Sequence, residues 1–245
     1  MSRANVKDKR KAQLIAAALD SIAKRGLMET TITHISKGAG MSRGIINFYF
    51  TSKEMMLRET LKTLIDEYET EWGEALAKAG DDGRARLDVL IGAHFSKKLC
   101  SARRLNVMSA FWGHAATQPA YRNQLEAADQ KIETAFTEAL AHTLGSSLEE
   151  SKHAATQLHA LIRGLWLNFM LNPQDTSRET LAAECISFID RLTGAPVRIV
   201  ANNAVLPPVP APQLVELKKP KAKAKPKASA EPQQLDIEDL FGNIR

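Results

Sequence analysis

What this chain lacks narrows its function before any motif is considered. It has only two cysteines, Cys100 and Cys185, which make no disulfide framework, and no Cys/His cluster has zinc-ligand spacing. Aromatic residues are 6% of the chain, with only 13 Gly and 10 Pro among 245 residues, an ordinary composition for a globular protein, and no internal repeat of fixed period is present. The most apolar run, Leu161 to Leu171, carries Arg163 and Asn168 and is too short to cross a bilayer, so no membrane partner is expected. Met1 to Lys11 is polar and basic with no apolar stretch behind it, hence no export signal, and a reducing cytoplasm is the expected location. Also missing are a G-x-S-x-G elbow, a phosphate loop, H-E-x-x-H and Cys-x-x-Cys. The expectation is a protein that is not an enzyme and needs no cofactor or metal.

What is present begins with charge, which is unevenly distributed. Residues 1–58 hold 11 Lys/Arg against 4 Asp/Glu, residues 59–194 hold 14 against 19, and residues 195–245 hold 8 against 5. A basic head on an acidic body points to a polyanion as the head's partner. Alternating strand patterns are absent apart from the isolated Val197-Arg198-Ile199-Val200, and the chain to residue 194 reads as helix. Leu14, Ile15, Ala18, Leu19 and Ile22 recur at helical spacing, and Gly26 supplies a stop. Thr30 or Thr31 can cap a second helix ending at Gly38-Ala39-Gly40, and Ser42 can cap a third, Arg43 to Phe50. Ser52 opens a long fourth helix. Five more are expected over Arg84–Lys98, Arg103–Ala116, Pro119–Leu144, Leu148–Leu171 and Ser177–Thr193.

The expected fold is therefore all-α, with about nine helices. Residues 1–52 form a three-helix DNA-binding head with a helix-turn-helix, and residues 53–194 a helical ligand-binding and dimerisation body. Residues 195–245 form a Pro/Lys-rich tail expected to be disordered, because it is too polar to offset its ordering entropy. Within the tail, Lys218 to Lys227 is a cationic stretch, and Leu235 to Ile244 has the apolar spacing of a short amphipathic helix.

Two short helices around Gly38-Ala39-Gly40-Met41 have helix-turn-helix spacing. If Ile46 and Phe50 turn inward with Ile35 and Leu19, the other face of the third helix shows Arg43, Gly44, Ile45, Asn47, Phe48 and Tyr49. Arg43 and Asn47 suit base edges, Ile45 a thymine methyl, Tyr49 a phosphate, and Lys53 adds charge at the next helix N-terminus. A solvated helical hairpin is the plain alternative for this pattern.

Residues 10–57, "RKAQLIAAALDSIAKRG" and then "TTITHISKGAGMSRGIINFYFTSKEMML", resemble the DNA-binding domain of the TetR family. The resemblance implies a homodimer that binds a double-stranded operator and responds to a small-molecule effector. It places Thr33, Ser42, Arg43, Ile45, Asn47, Phe48, Tyr49 and Lys53 on DNA-facing positions. Further along, "SAFWGHAATQPAYRNQL" and "LIRGLWLNFML" resemble the choline-responsive repressors within that family. One position departs: Arg163 stands where that subgroup usually has Asp. If Arg163 lines the pocket, a cation meets a like charge there, and an anionic ligand becomes the alternative.

Quaternary ammonium ligands bind aromatic faces, and the candidate ligand-binding residues are Phe95, Phe111, Trp112, Tyr121, Arg163, Trp166 and Phe169. His94, His114 and His159 are further candidates, although aromatics and histidines at helical spacing also serve as core. Stripes on the last two helices suit a dimer seam, with Leu158, Ile162, Leu165, Leu181, Phe188 and Leu192 as interface residues and burial within one subunit as the alternative. The chain thus reads as an effector-released repressor, with an activator or a helix-turn-helix scaffold as the rival.

Overall fold

A computed structural model of the protein describes residues 3–194, with side chains from residue 6. These residues form nine helices and no strand: α1 (Arg3–Glu29), α2 (Ile32–Ala39), α3 (Arg43–Tyr49), α4 (Lys53–Ala77), α5 (Gly83–His94), α6 (Ala102–Ala115), α7 (Pro119–Leu144), α8 (Leu148–Leu171) and α9 (Arg178–Thr193). The Val197–Val200 run, the lysine stretch and the 235–244 segment lie outside the described residues. No described helix is long and apolar enough to cross a membrane.

Local chemistry places most of the helix starts. A β-region Ser, Thr or Asp side chain accepts from the otherwise free backbone N–H three residues on, at Thr31, Ser42, Ser52, Asp82, Ser101, Ser147 and Ser177. Of the two threonines before α2, Thr31 is the cap. Thr30 is buried and its hydroxyl donates back to the Gly26 carbonyl at 2.8 Å. Gly26 breaks α1 at φ 80°, and Gly40 closes α2 at φ 63°, a conformation that disfavours any side chain with a Cβ.

α5 is shorter than its periodicity predicts. It stops at His94 rather than Lys98, and the chain turns through Phe95 to Cys100. The turn is held from a distance, because Arg178 Nε donates to the Cys100 carbonyl at 2.5 Å. A local pattern carries no trace of that contact.

Three apolar clusters organise the packing. The head cluster joins Leu14 and Ala18 of α1 to Ile35, Ile46, Phe50 and Met56, with Leu19 packed at its edge. Burying a side chain of the size of Ile46 or Phe50 contributes about 1.5–3 kcal/mol each. A second cluster joins Ile22 and Leu27 to Leu57, Leu61 and Leu64 of α4, and to Val107, Phe111, Tyr121 and Leu125 of α6 and α7. The third fills the body between α5, α7, α8 and α9. The head is therefore coupled to the body through α6 as well as through α4. Asn106 Nδ2 donates to the Ala23 carbonyl at 3.3 Å, and Arg103 pairs with Asp20.

The seam residues separate in space. Leu158, Ile162 and Leu181 are buried in the subunit's own third cluster and are not available to a partner. Leu165 and Phe188 are half-buried, while Leu192 is exposed. The outward stripe of α8 is Ala160, Gly164, Leu167 and Leu171, a face adjacent to the one expected.

Candidate DNA-reading surface and effector cavity

On α3 the inward residue is Ile46, and the helix ends on buried Phe50. Arg43, Gly44, Asn47 and Phe48 are exposed, while Ile45 and Tyr49 are half-buried. Phe48 is 73% exposed, and its ring meets Tyr49 edge-on with centroids 5.2 Å apart. Leaving so large a ring in water is costly unless a partner covers it. The remaining candidates are engaged in holding the motif. Ser42 caps α3, Arg43 Nη2 donates to Thr33 Oγ1 at 2.5 Å, and Lys53 Nζ donates to the Met28 carbonyl at 3.2 Å. The Arg43–Thr33 bond ties α3 to α2 and fixes the guanidinium in a defined position.

In the body, α4, α6, α7 and α8 enclose a cavity whose chemistry comes from Tyr68, Trp112, Asp129, His159, Arg163 and Trp166. Leu99, Leu105, Met108, Leu125 and other apolar side chains complete the wall, with Arg104 at its edge. Trp112 and Trp166 lie nearly parallel, with centroids 6.4 Å apart and 14° between planes. Tyr68 meets Trp166 edge-on at 6.2 Å.

Behind these rings stands His94. Its Nδ1 lies 2.6 Å from the Leu90 carbonyl, which can only accept, so Nδ1 carries the proton. Nε2 is then the acceptor for the Tyr68 hydroxyl at 2.8 Å. Burial pushes the His94 pKa down to about 4 and raises that of Tyr68, so both are neutral near pH 7. The Trp166 indole N–H donates to the His94 carbonyl at 3.0 Å and fixes the ring.

The cavity's charges come in pairs. Arg163 forms an ion pair with Asp129, and its guanidinium carbon lies 5.7 Å from the Trp112 ring centroid, within cation–π range. His159 Nδ1 is 3.1 Å from Glu133 Oε1, and its pKa is lowered by burial and by Arg163. Arg104 is held by Glu67 at 2.5 Å and by the Leu64 carbonyl at 2.7 Å.

Three of the seven ligand candidates, Trp112, Arg163 and Trp166, meet in this cavity; the other four do not. Phe95 is buried in the body core, and Phe111 is buried in the second cluster, edge-on to Tyr121 at 5.2 Å. Tyr121 lines a separate hollow with Met28, Lys53 and His114, at the junction with the head. Phe169 lies under the Arg178 guanidinium, 5.2 Å away. Helical phase alone cannot say which of two neighbouring cores an aromatic enters. Tyr68 and Asp129 are residues that sequence reasoning missed. Tyr68 follows Leu61, Leu64 and Ile65 at core spacing on α4, and Asp129 is one of many acidic residues of the body. Only its pairing with Arg163 on a neighbouring helix marks it.

A basic, capped helix-turn-helix joined to a helical body with an aromatic cavity defines a ligand-sensing DNA-binding regulator. Two domain families match this chain: "Bacterial regulatory proteins, tetR family" over residues 14–60, and "BetI-type transcriptional repressor, C-terminal" over residues 83–194. The HTH-type transcriptional regulator BetI of Burkholderia mallei is 31% identical over 194 residues, covering 78% of this chain and 97% of that protein. Its counterpart in Ectopseudomonas mendocina is 27% identical over 191 residues, covering 78% and 96%. Among solved structures, a transcriptional regulator of Pseudomonas aeruginosa PAO1 superposes with a TM-score of 0.69 at 26% identity, covering 76% of this chain and 91% of that one. A regulator of Saccharomonospora viridis in complex with choline superposes with a TM-score of 0.64 at 22% identity, covering 75% and 96%. The chain belongs to the TetR family and is a transcriptional repressor of the BetI type, not an enzyme.

Proposed function

We propose that two copies of this chain bind a palindromic operator and are released by a small molecule, choline or a related metabolite, that enters the Trp112–Trp166 cavity. The observation that carries this reading is the position of α6. Arg104, Leu105, Met108 and Trp112 face the cavity, while Arg103 and Asn106 of the same helix hold α1. A ligand that shifts α6 therefore shifts the head. An effector with higher affinity for one α6 position lowers operator affinity by linkage.

DNA reading is assigned to Thr33, Ser42, Arg43, Ile45, Asn47, Phe48, Tyr49 and Lys53. The exposure of Arg43, Asn47 and Phe48 supports this, as does the excess of positive charge in residues 1–58. The functional division is a head of residues 1–52, a body of residues 53–194 and a tail from 195, acting in the cytoplasm where the operator is. Dimerisation is supported by α8's outward stripe: Leu167 and Leu171 are 48% and 62% exposed, and the space above Gly164 is open. Apolar residues around a mid-helix glycine suit a second helix at close range. With Leu165, Phe188 and Leu192 alongside, this face replaces the more inward one built on Leu158, Ile162 and Leu181.

The test is fluorescence anisotropy with DNA from upstream of the protein's own gene, titrated with choline and related amines. Specific binding that an amine reverses in the wild type, but not in Trp112→Ala, supports the reading. Specific binding with a Trp112→Ala response equal to wild type would remove the cavity from the mechanism.

A further inference from the structure

The cavity already holds a cation. The Arg163 guanidinium sits over Trp112, Trp166 lies parallel to that ring, and the Asp129 carboxylate completes the pair. Aromatic faces plus one carboxylate are what a ligand cation would need, and here a side chain of the protein occupies that place. With the guanidinium in position the cavity measures about 40 Å³. That is room for a few water molecules and not for an organic effector. Arg163 is the side chain placed to give way to an effector, since it is 38% exposed on a long, flexible stem.

Charge balance then decides what the effector carries. A simple cation that takes the Trp112 face and Asp129 leaves Arg163 without its carboxylate, beside the positive charge just bound. Arg104 offers no relief, since it is itself a cation committed to Glu67. A simple anion that draws Arg163 away leaves Asp129 unpaired in a largely apolar wall. Its next basic neighbour is His159 Nε2 at 3.9 Å, a ring held against Glu133 on its other side. Breaking the pair from either side leaves one charge without its partner, a cost that solvent screening reduces at 38% and 29% side-chain exposure but that the apolar wall does not abolish. A ligand bearing both charges splits the pair and leaves neither half uncompensated.

Resting on the reading of this cavity as the effector site, we propose that the effector is a small zwitterion. Its cationic head replaces the guanidinium between Trp112 and Asp129, and its carboxylate receives the displaced Arg163. One internal ion pair is exchanged for two intermolecular ones, and no covalent bond changes. Because Arg163 is on α8 and Trp112 on α6, the exchange repositions the helix that holds α1.

Three probes of matched shape separate the possibilities by calorimetry on the full chain: choline (cation), glycine betaine (zwitterion) and 3,3-dimethylbutyrate (the betaine shape with carbon for nitrogen, an anion). Wild type is expected to bind betaine at least tenfold more tightly than either of the others. Arg163→Met, which keeps the stem, should lose at least tenfold for betaine and gain at least tenfold for choline, reversing the ranking. Arg163→Lys should preserve the wild-type ranking, which separates charge from packing. Asp129→Asn should weaken betaine and strengthen 3,3-dimethylbutyrate. The proposal is overturned if choline ranks first in the wild type, if Arg163→Met moves all three probes alike, or if none of them binds. Trp112→Ala tells this failure from that of the cavity itself. If another compound releases operator and Trp112→Ala abolishes its effect, the cavity stands and only the zwitterion falls. If that variant responds as wild type does, both fall.

Discussion

Asn47 is exposed on α3, one turn after the capped start, with an amide able to make paired hydrogen bonds to adenine. Asn47→Ala is expected to cost about 1–3 kcal/mol of operator affinity while leaving scrambled-DNA affinity and melting temperature unchanged. Anisotropy at one salt concentration measures it, and unchanged operator binding would remove Asn47 from the reading set. His94 belongs to the same scale but acts on stability. Its folded pKa, about 4, lies below the ordinary 6.5, so between those values the unfolded chain binds more protons than the native one. Stability from His94 is therefore fully present above pH 6.5 and is lost as pH falls toward 4. The loss reaches a few kcal/mol, since each tenfold difference in proton affinity between the two states is worth about 1.4 kcal/mol. Denaturant midpoints across this window should fall less steeply in His94→Gln than in wild type, and equal slopes would assign the acid sensitivity to other groups.

At the scale of elements, α8 serves two sides. Its inner face, through Leu158, Ile162, Trp166 and Phe169, fills the body, while Ala160, Gly164, Leu167 and Leu171 line the outside. Filling the open space at Gly164 in Gly164→Leu, or charging the stripe in Leu167→Glu, should convert a dimer to a monomer in light scattering. The helical circular dichroism of the subunit should be retained, because neither position touches the body core. Dimers of unchanged mass from both variants would place the seam elsewhere. Element starts were legible residue by residue, as at Ser42 and Ser52, because a cap acts within four residues of itself. The end of α5 was not, because Arg178, far along the chain, holds the turn that follows it.

For the molecule as a whole, the charge layout leads to a prediction about the tail as a second contact with DNA. Lys218, Lys219, Lys221, Lys223, Lys225 and Lys227 can each neutralise a phosphate, and each phosphate contact steepens the salt dependence by about 0.9 in log–log slope. Truncation after Gly194 is expected to flatten the salt dependence of non-specific binding, whereas removing only residues 235–245 should not. Identical slopes for all three proteins would deny the lysines a role. At the same scale, α4 and α6 both run from the second cluster into the cavity wall, so the head has two connections to the body.

The sequence by itself determined the all-helical class, the helix-turn-helix and its outward face, and the family. Each of these rests on short-range periodicity, capping or a contiguous motif, which the order of residues states directly. Tertiary structure alone decided which aromatics line the cavity, which face of α8 is left uncovered, and that Arg163 meets Asp129. Those outcomes depend on the rotation of one helix against another, and a helix rotates by about 100° with each residue. A stripe of apolar residues is compatible with either neighbour until the packing of the surrounding helices selects one.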